Sequence, residues 1–107
     1  MTRLDSECVA STAARHCLPS LERMCGGMFS FLTWVNVIEE IRDTLHAACE
    51  RYDESDSHQV YETEFLPLFD ALSYIQLSLK VPARASIYLY FARKELAKLE
   101  PHASGSV

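Results

Sequence analysis

The sequence predicts an all-α fold: a small helical bundle of three long helices and a weaker N-terminal one, with the third and fourth forming an antiparallel hairpin. Phe31, Trp34, Ile38, Ile41, Leu45, Ala48 and Tyr52 recur at alternating three- and four-residue steps, the spacing that lines one face of a helix. A second seam of the same period joins Tyr61, Phe65, Leu68, Leu72, Ile75 and Leu79. The composition agrees, because 3 Gly and 4 Pro leave little for the turns of an all-β chain, while 49% hydrophobic and 23% charged residues are ordinary for a globule.

A chain of 107 residues is expected to form one domain, here 1–100, burying roughly two-thirds of its unfolded surface in a single core. The first helix starts near Asp5 or Ser6 as N-cap, with Glu7 in its first turn, and its apolar recurrence at Leu4, Cys8, Ala14, Cys17 and Leu18 is mild. Pro19 is expected to end or kink it, since proline lacks the amide proton and its ring meets the preceding turn. Ser20 to Cys25 then makes a second short piece, closed by Gly26 and Gly27 as a cap, so that 1–27 reads as an N-terminal arm.

Ser30 or Thr33 begins the long helix near 30–52, whose other side carries Glu39, Glu40, Arg42, Asp43, Glu50 and Arg51. Asp53 to His58, DESDSH, has no hydrophobic side chain and reads as a solvated loop. The next helix is placed near 63–80, because Pro67 is comfortable only in a first turn; Gln59 to Glu62 becomes a separate turn or a kinked lead-in. Pro82 closes it, and the short corner Val81 to Ala83 sends the chain back as an antiparallel neighbour. The last helix, near 83–99, has Ala85, Leu89, Ala92, Leu96 and Leu99 on its seam and Arg93, Lys94 and Lys98 near its C-terminus, where cations complement the dipole. Pro101 stops it, and 101–107 is expected to be a disordered tail.

The formal net charge of −5 argues against a nucleic-acid partner, which calls for lysine and arginine to displace counterions. The charge is uneven: Glu39 to Asp70 is acidic with only Arg42 and Arg51 as bases, whereas Lys80 to Lys98 holds five bases and one acid, Glu95. The longest apolar runs, such as Ile87 to Ala92, fall far short of a membrane span, so no membrane partner is expected. Asp5 and Glu7 interrupt any signal-peptide core, and Cys8, Cys17, Cys25 and Cys49 then read as reduced thiols in an intracellular setting, cytoplasm or host cell interior.

Candidates for chemistry are few. His46 and Cys49 stand one helical turn apart, a pair that would bind zinc if a second pair met it, or serve a redox switch. The N-terminal cysteines lack a Cys-x-x-Cys spacing, so the thiols are expected to be small core residues, with no cofactor or metal. Arg51 to His58 resembles the Arg-to-His motif of HEPN-type ribonucleases, which are small helical bundles. The resemblance implies that arginine holds the scissile phosphate while histidine moves the ribose proton; Asp53, Glu54 and Asp56 between them would repel that substrate. No nucleophile elbow or glycine-rich phosphate loop is present, and no enzyme is expected.

The most informative feature is surplus apolar surface. Away from the seams, the third helix adds Leu66, Tyr74 and Leu77 and the fourth adds Ile87, Tyr90 and Phe91, beside Arg84, Lys94 and Lys98. Helices apolar on two faces either form a bundle's centre or offer a patch to another chain. The expected function is therefore a non-catalytic protein–protein interaction module: an adaptor, chaperone, antitoxin-like regulator or other accessory subunit, viral or phage origin included. These residues bind a protein partner or a second copy in a homodimer, the acidic second helix of that copy supplying the complement.

Overall fold

The computed structural model describes residues 2–26, 29–55 and 57–99, with side chains of the first segment described from Val9 to Met24. The expected tail 101–107, the side chains of Cys8 and Cys25, and Gly27 of the expected cap lie outside the described residues. Four helices make the fold: α1 (Thr2–Gly26), α2 (Phe31–Cys49), α3 (Leu66–Lys80) and α4 (Ala85–Ala97). Among the described residues no strand forms, and no helix is long and apolar enough to cross a membrane.

Helix α1 corrects the expected break, because its 25 residues run through Pro19. Ala10, Ala13, Ala14, Cys17, Leu18, Leu21 and Met24 are buried on both sides of the proline at helical spacing. The packing of that face offsets the roughly 3 kcal/mol that an interior proline costs. Pro19 itself is exposed, so the carbonyl that loses its donor, that of Arg15, stands on the solvent side.

Ser30 caps α2 as expected, its side chain accepting from the backbone N–H of Thr33 at 3.2 Å. Ile38, Ile41, Leu45, Ala48 and Cys49 are buried, but the first turn departs from the predicted seam. Phe31 is 65% exposed and Trp34 only half-buried, the two rings stacked with centroids 5.9 Å apart. These residues occupy the end of the bundle, where a seam that continues in sequence has run out of partners to cover it.

Within the expected loop, whose Asp56 lies outside the described residues, Asp53, Glu54 and Ser55 are exposed, and Asp53 Oδ1 accepts from the Ser55 N–H at 2.9 Å. That backbone bond holds the Asp53 carboxyl below its usual range. Ser57 then caps a single helical turn, His58–Val60, which widens into a π-helical stretch, Tyr61–Phe65. The N–H of Leu66 reaches back to the Tyr61 carbonyl, five residues away, immediately before Pro67 in the first turn of α3. A wider turn gives room where the proline ring would crowd the Thr63 carbonyl, so the regular helix starts at Leu66 rather than near 63, and the stretch before it is π-helical over Tyr61–Phe65.

A 3-10 turn, Pro82–Arg84, joins α3 to α4, with the Arg84 N–H on the Val81 carbonyl at 2.9 Å. Contacts along the helices define an up-down-up-down bundle. Val9 and Ala13 of α1 face Ala47 and Ala48 of α2, and Tyr52 after α2 meets Phe65 and Phe69 at 5.2 and 6.0 Å. Tyr74 of α3 meets Phe91 of α4. The ring closes where Ser11 Oγ donates to the Leu99 carbonyl at 3.3 Å and Met24 lies beside Ala85 and Leu89. Each helix is antiparallel to both neighbours, around a core led by Leu21, Ile38, Leu45, Phe65, Leu68, Ile75 and Leu96.

Candidate partner-binding surface

The outer face of the α3–α4 hairpin is built from residues that the seam cannot absorb. In α4, Ala85, Leu89, Ala92 and Leu96 are buried at three- and four-residue steps, which turns Ile87, Tyr90 and Phe91 outward. In α3 the buried set Leu68, Ala71, Leu72 and Ile75 leaves Leu77 exposed, with Tyr74 half-buried at the edge. Tyr74 lies 5.4 Å from Phe91 and Phe91 lies 5.6 Å from Tyr90, ring centroid to centroid, so the aromatics form one connected strip across the hairpin. Lys94 Nζ stands 5.5 Å and the Arg93 guanidinium 6.0 Å from the centre of the Tyr90 ring, which places two cations at the margin of the strip.

Not every residue expected here belongs to it. Leu66 is exposed, but with Tyr74 opposite Phe91 in an antiparallel pair it stands level with Leu99, at the far end of the hairpin. Lys98 is tied to Glu95 at 3.1 Å and adds little net positive charge. Arg84 is exposed in the turn that leads into α4. Tyr74, Leu77, Ile87, Tyr90, Phe91 and Lys94 remain as a group, and Arg93 joins them.

Sequence reasoning missed a second apolar region that adjoins this one. Phe29, Phe31 and Leu32 are exposed, and Phe29, Phe31, Trp34, Pro82 and Ala85 line an open hollow of about 250 Å³ at the end of the bundle. A neighbouring hollow of about 300 Å³ shares Trp34 and Ala85 and adds Met24, Ser86, Leu89, Tyr90 and Arg93. The signal was legible around the cap: Phe29 precedes Ser30, and Trp34 holds the fourth helical position, the arrangement of a hydrophobic staple. Among the described residues Leu66 alone of the exposed large apolar side chains lies at the opposite end.

The groups considered for chemistry are dispersed. Cys17 and Cys49 form no disulfide and are buried. Burial, followed by the charge of Glu40, pushes the Cys17 thiol from 9.0 to about 12, and burial pushes that of Cys49 to about 11. His46 instead faces solvent, with Nδ1 3.5 Å from Glu50, so α2 sends the two members of the His46–Cys49 pair to different surroundings. Among the described residues no three His, Cys, Asp or Glu side chains are grouped to hold a metal ion. His58 is exposed with Nε2 2.9 Å from Glu62 and its ring against Tyr61, while Arg51 borders the hollow between α1 and α2.

No family model, curated protein or solved structure matches this chain.

Proposed function

We propose that the chain is a non-catalytic protein-interaction module that works as an adaptor, chaperone or regulatory subunit inside a cell. It takes another protein chain, or a second copy of itself, on the outer face of α3 and α4. The observation that carries this reading is the connected aromatic strip of Tyr74, Phe91 and Tyr90, exposed or half-buried although the domain already has a closed core beneath it, on a hairpin that also exposes Leu77 and Ile87. Isolated exposed apolar residues are ordinary, but a contiguous group with charges at its margin is what interaction surfaces present. The apolar centre supplies most of the affinity, and the cations of Arg93 and Lys94 orient the partner.

The test compares wild-type protein with Phe91→Asp in sedimentation and in capture of the partner from the native cell, followed by reconstitution of the purified pair. Association is expected for the wild type and lost in the variant, with the helical circular dichroism unchanged. A variant that associates as well as the wild type, or that unfolds, removes the reading.

A further inference from the structure

The two hollows at the end of the bundle lie side by side, because Trp34 and Ala85 belong to both. Their walls come from α1, α2 and α4 and from the turn before α4, so they form a groove across the end rather than a dimple on one helix. Side chains at i and i+4 of a helix stand about 6 Å apart at Cβ, a spacing suited to filling adjacent hollows from one seam. The charges placed at the groove are basic: Arg93 lines it, Lys94 sits over the Tyr90 ring of its wall, Arg84 is exposed in the turn next to the lining residue Ala85, and no acid is among its described lining residues.

We infer that this groove receives an amphipathic helix of a different protein, one that carries acidic residues on either side of its apolar seam. The inference rests on the protein-interaction reading above and extends its surface from the α4 strip, through Tyr90, to Trp34. Charge selects the occupant. A second copy docked end to end would bring the same cations against each other. The acids Glu39, Glu40 and Asp43 of a second copy flank Ile38, Ile41 and Leu45, which are buried in that copy's own core, so the acidic part of its α2 has no free apolar seam to insert. A partner helix with a free seam and acidic flanks meets both requirements at once.

Trp34 is the single tryptophan of the chain and lines both hollows, which makes its emission a reporter of occupancy. The probes are three synthetic 16-residue helical peptides, a length of about 24 Å, sharing one Leu/Phe seam and flanked by Glu, Gln or Lys. The Glu-flanked peptide is expected to shift Trp34 emission to the blue saturably. Its affinity should fall about tenfold in Arg84→Glu/Lys94→Glu and weaken with salt, and Phe31→Asp should abolish the shift while the fold, checked by circular dichroism, persists. Equal or tighter binding of the Gln or Lys peptide overturns the acidic assignment, and binding that leaves Trp34 unmoved but is lost in Phe91→Asp overturns the groove; in both cases the protein-interaction reading stands. A blue shift that grows with protein concentration alone, together with a dimer in sedimentation, assigns the groove to a second copy and overturns the inference in the same way. If no peptide binds and the chain stays monomeric, the inference fails. If phosphatidylserine vesicles then shift Trp34, or Phe91→Asp retains every captured partner, the protein-interaction reading fails with it.

Discussion

Tyr74 and Phe91 face each other across the α3–α4 hairpin with ring centroids 5.4 Å apart, yet Phe91 keeps 41% of its surface in water. The pair therefore closes the hairpin from outside the core. A double-mutant cycle of Tyr74→Ala and Phe91→Ala should give a coupling of about 0.5 kcal/mol, at the low end for aromatic pairs because one ring is partly solvated. Phe91→Asp should cost about 1 kcal/mol and leave cooperative urea unfolding intact. A collapse of the folded state in this variant would make Phe91 a core residue.

Trp34 lies at the edge of the core rather than within it. Trp34→Ala should destabilise by about 1–2 kcal/mol, below the 3–5 kcal/mol typical of a fully buried aromatic. Urea denaturation measures this, and native emission should sit between the buried and the solvated maxima. A loss above about 4 kcal/mol would contradict the half-buried position.

Pro19 sits in the interior of a 25-residue helix with its ring exposed. Pro19→Ala should stabilise the domain by about 1–3 kcal/mol, since alanine restores the hydrogen bond to the Arg15 carbonyl and relieves the ring's contact with it. The check is a higher melting temperature; an unchanged or lower one would mean that the proline is accommodated without cost.

The thiols of Cys17 and Cys49 should resist a thiol reagent in the folded protein at pH 8, both being buried and protonated. Linkage adds a pH dependence. Because folding raises these pKa values from 9.0 to about 12 and about 11, the folded state holds protons that the unfolded chain releases. Their contribution to stability is full below pH 9.0 and is lost as pH rises from there through the folded values. Urea melts at pH 8 and pH 10.5 should show a loss that Cys17→Ala reduces. An equal loss in that variant would place the titration elsewhere.

The sequence by itself determined the fold class, four helices and most of their limits, because the information is local. The seams of α2 and α3, the Ser30 cap, the hydrophilic run at 53–58 and Pro67 in a first turn each act within a few residues. It also determined that α3 and α4 carry more apolar surface than one seam needs. Only the tertiary structure decided which side of those helices faces the core, because a helix apolar on two faces has two self-consistent orientations until neighbours choose between them. Packing likewise decided the fate of Pro19, where burial on both sides outweighed a local penalty, and the exposure of Phe31, whose periodicity continues past the point where any helix covers it. The groove at Trp34 belongs to the same class: its walls come from three helices and a turn far apart in the chain, and periodicity along one helix carries no record of where the others end.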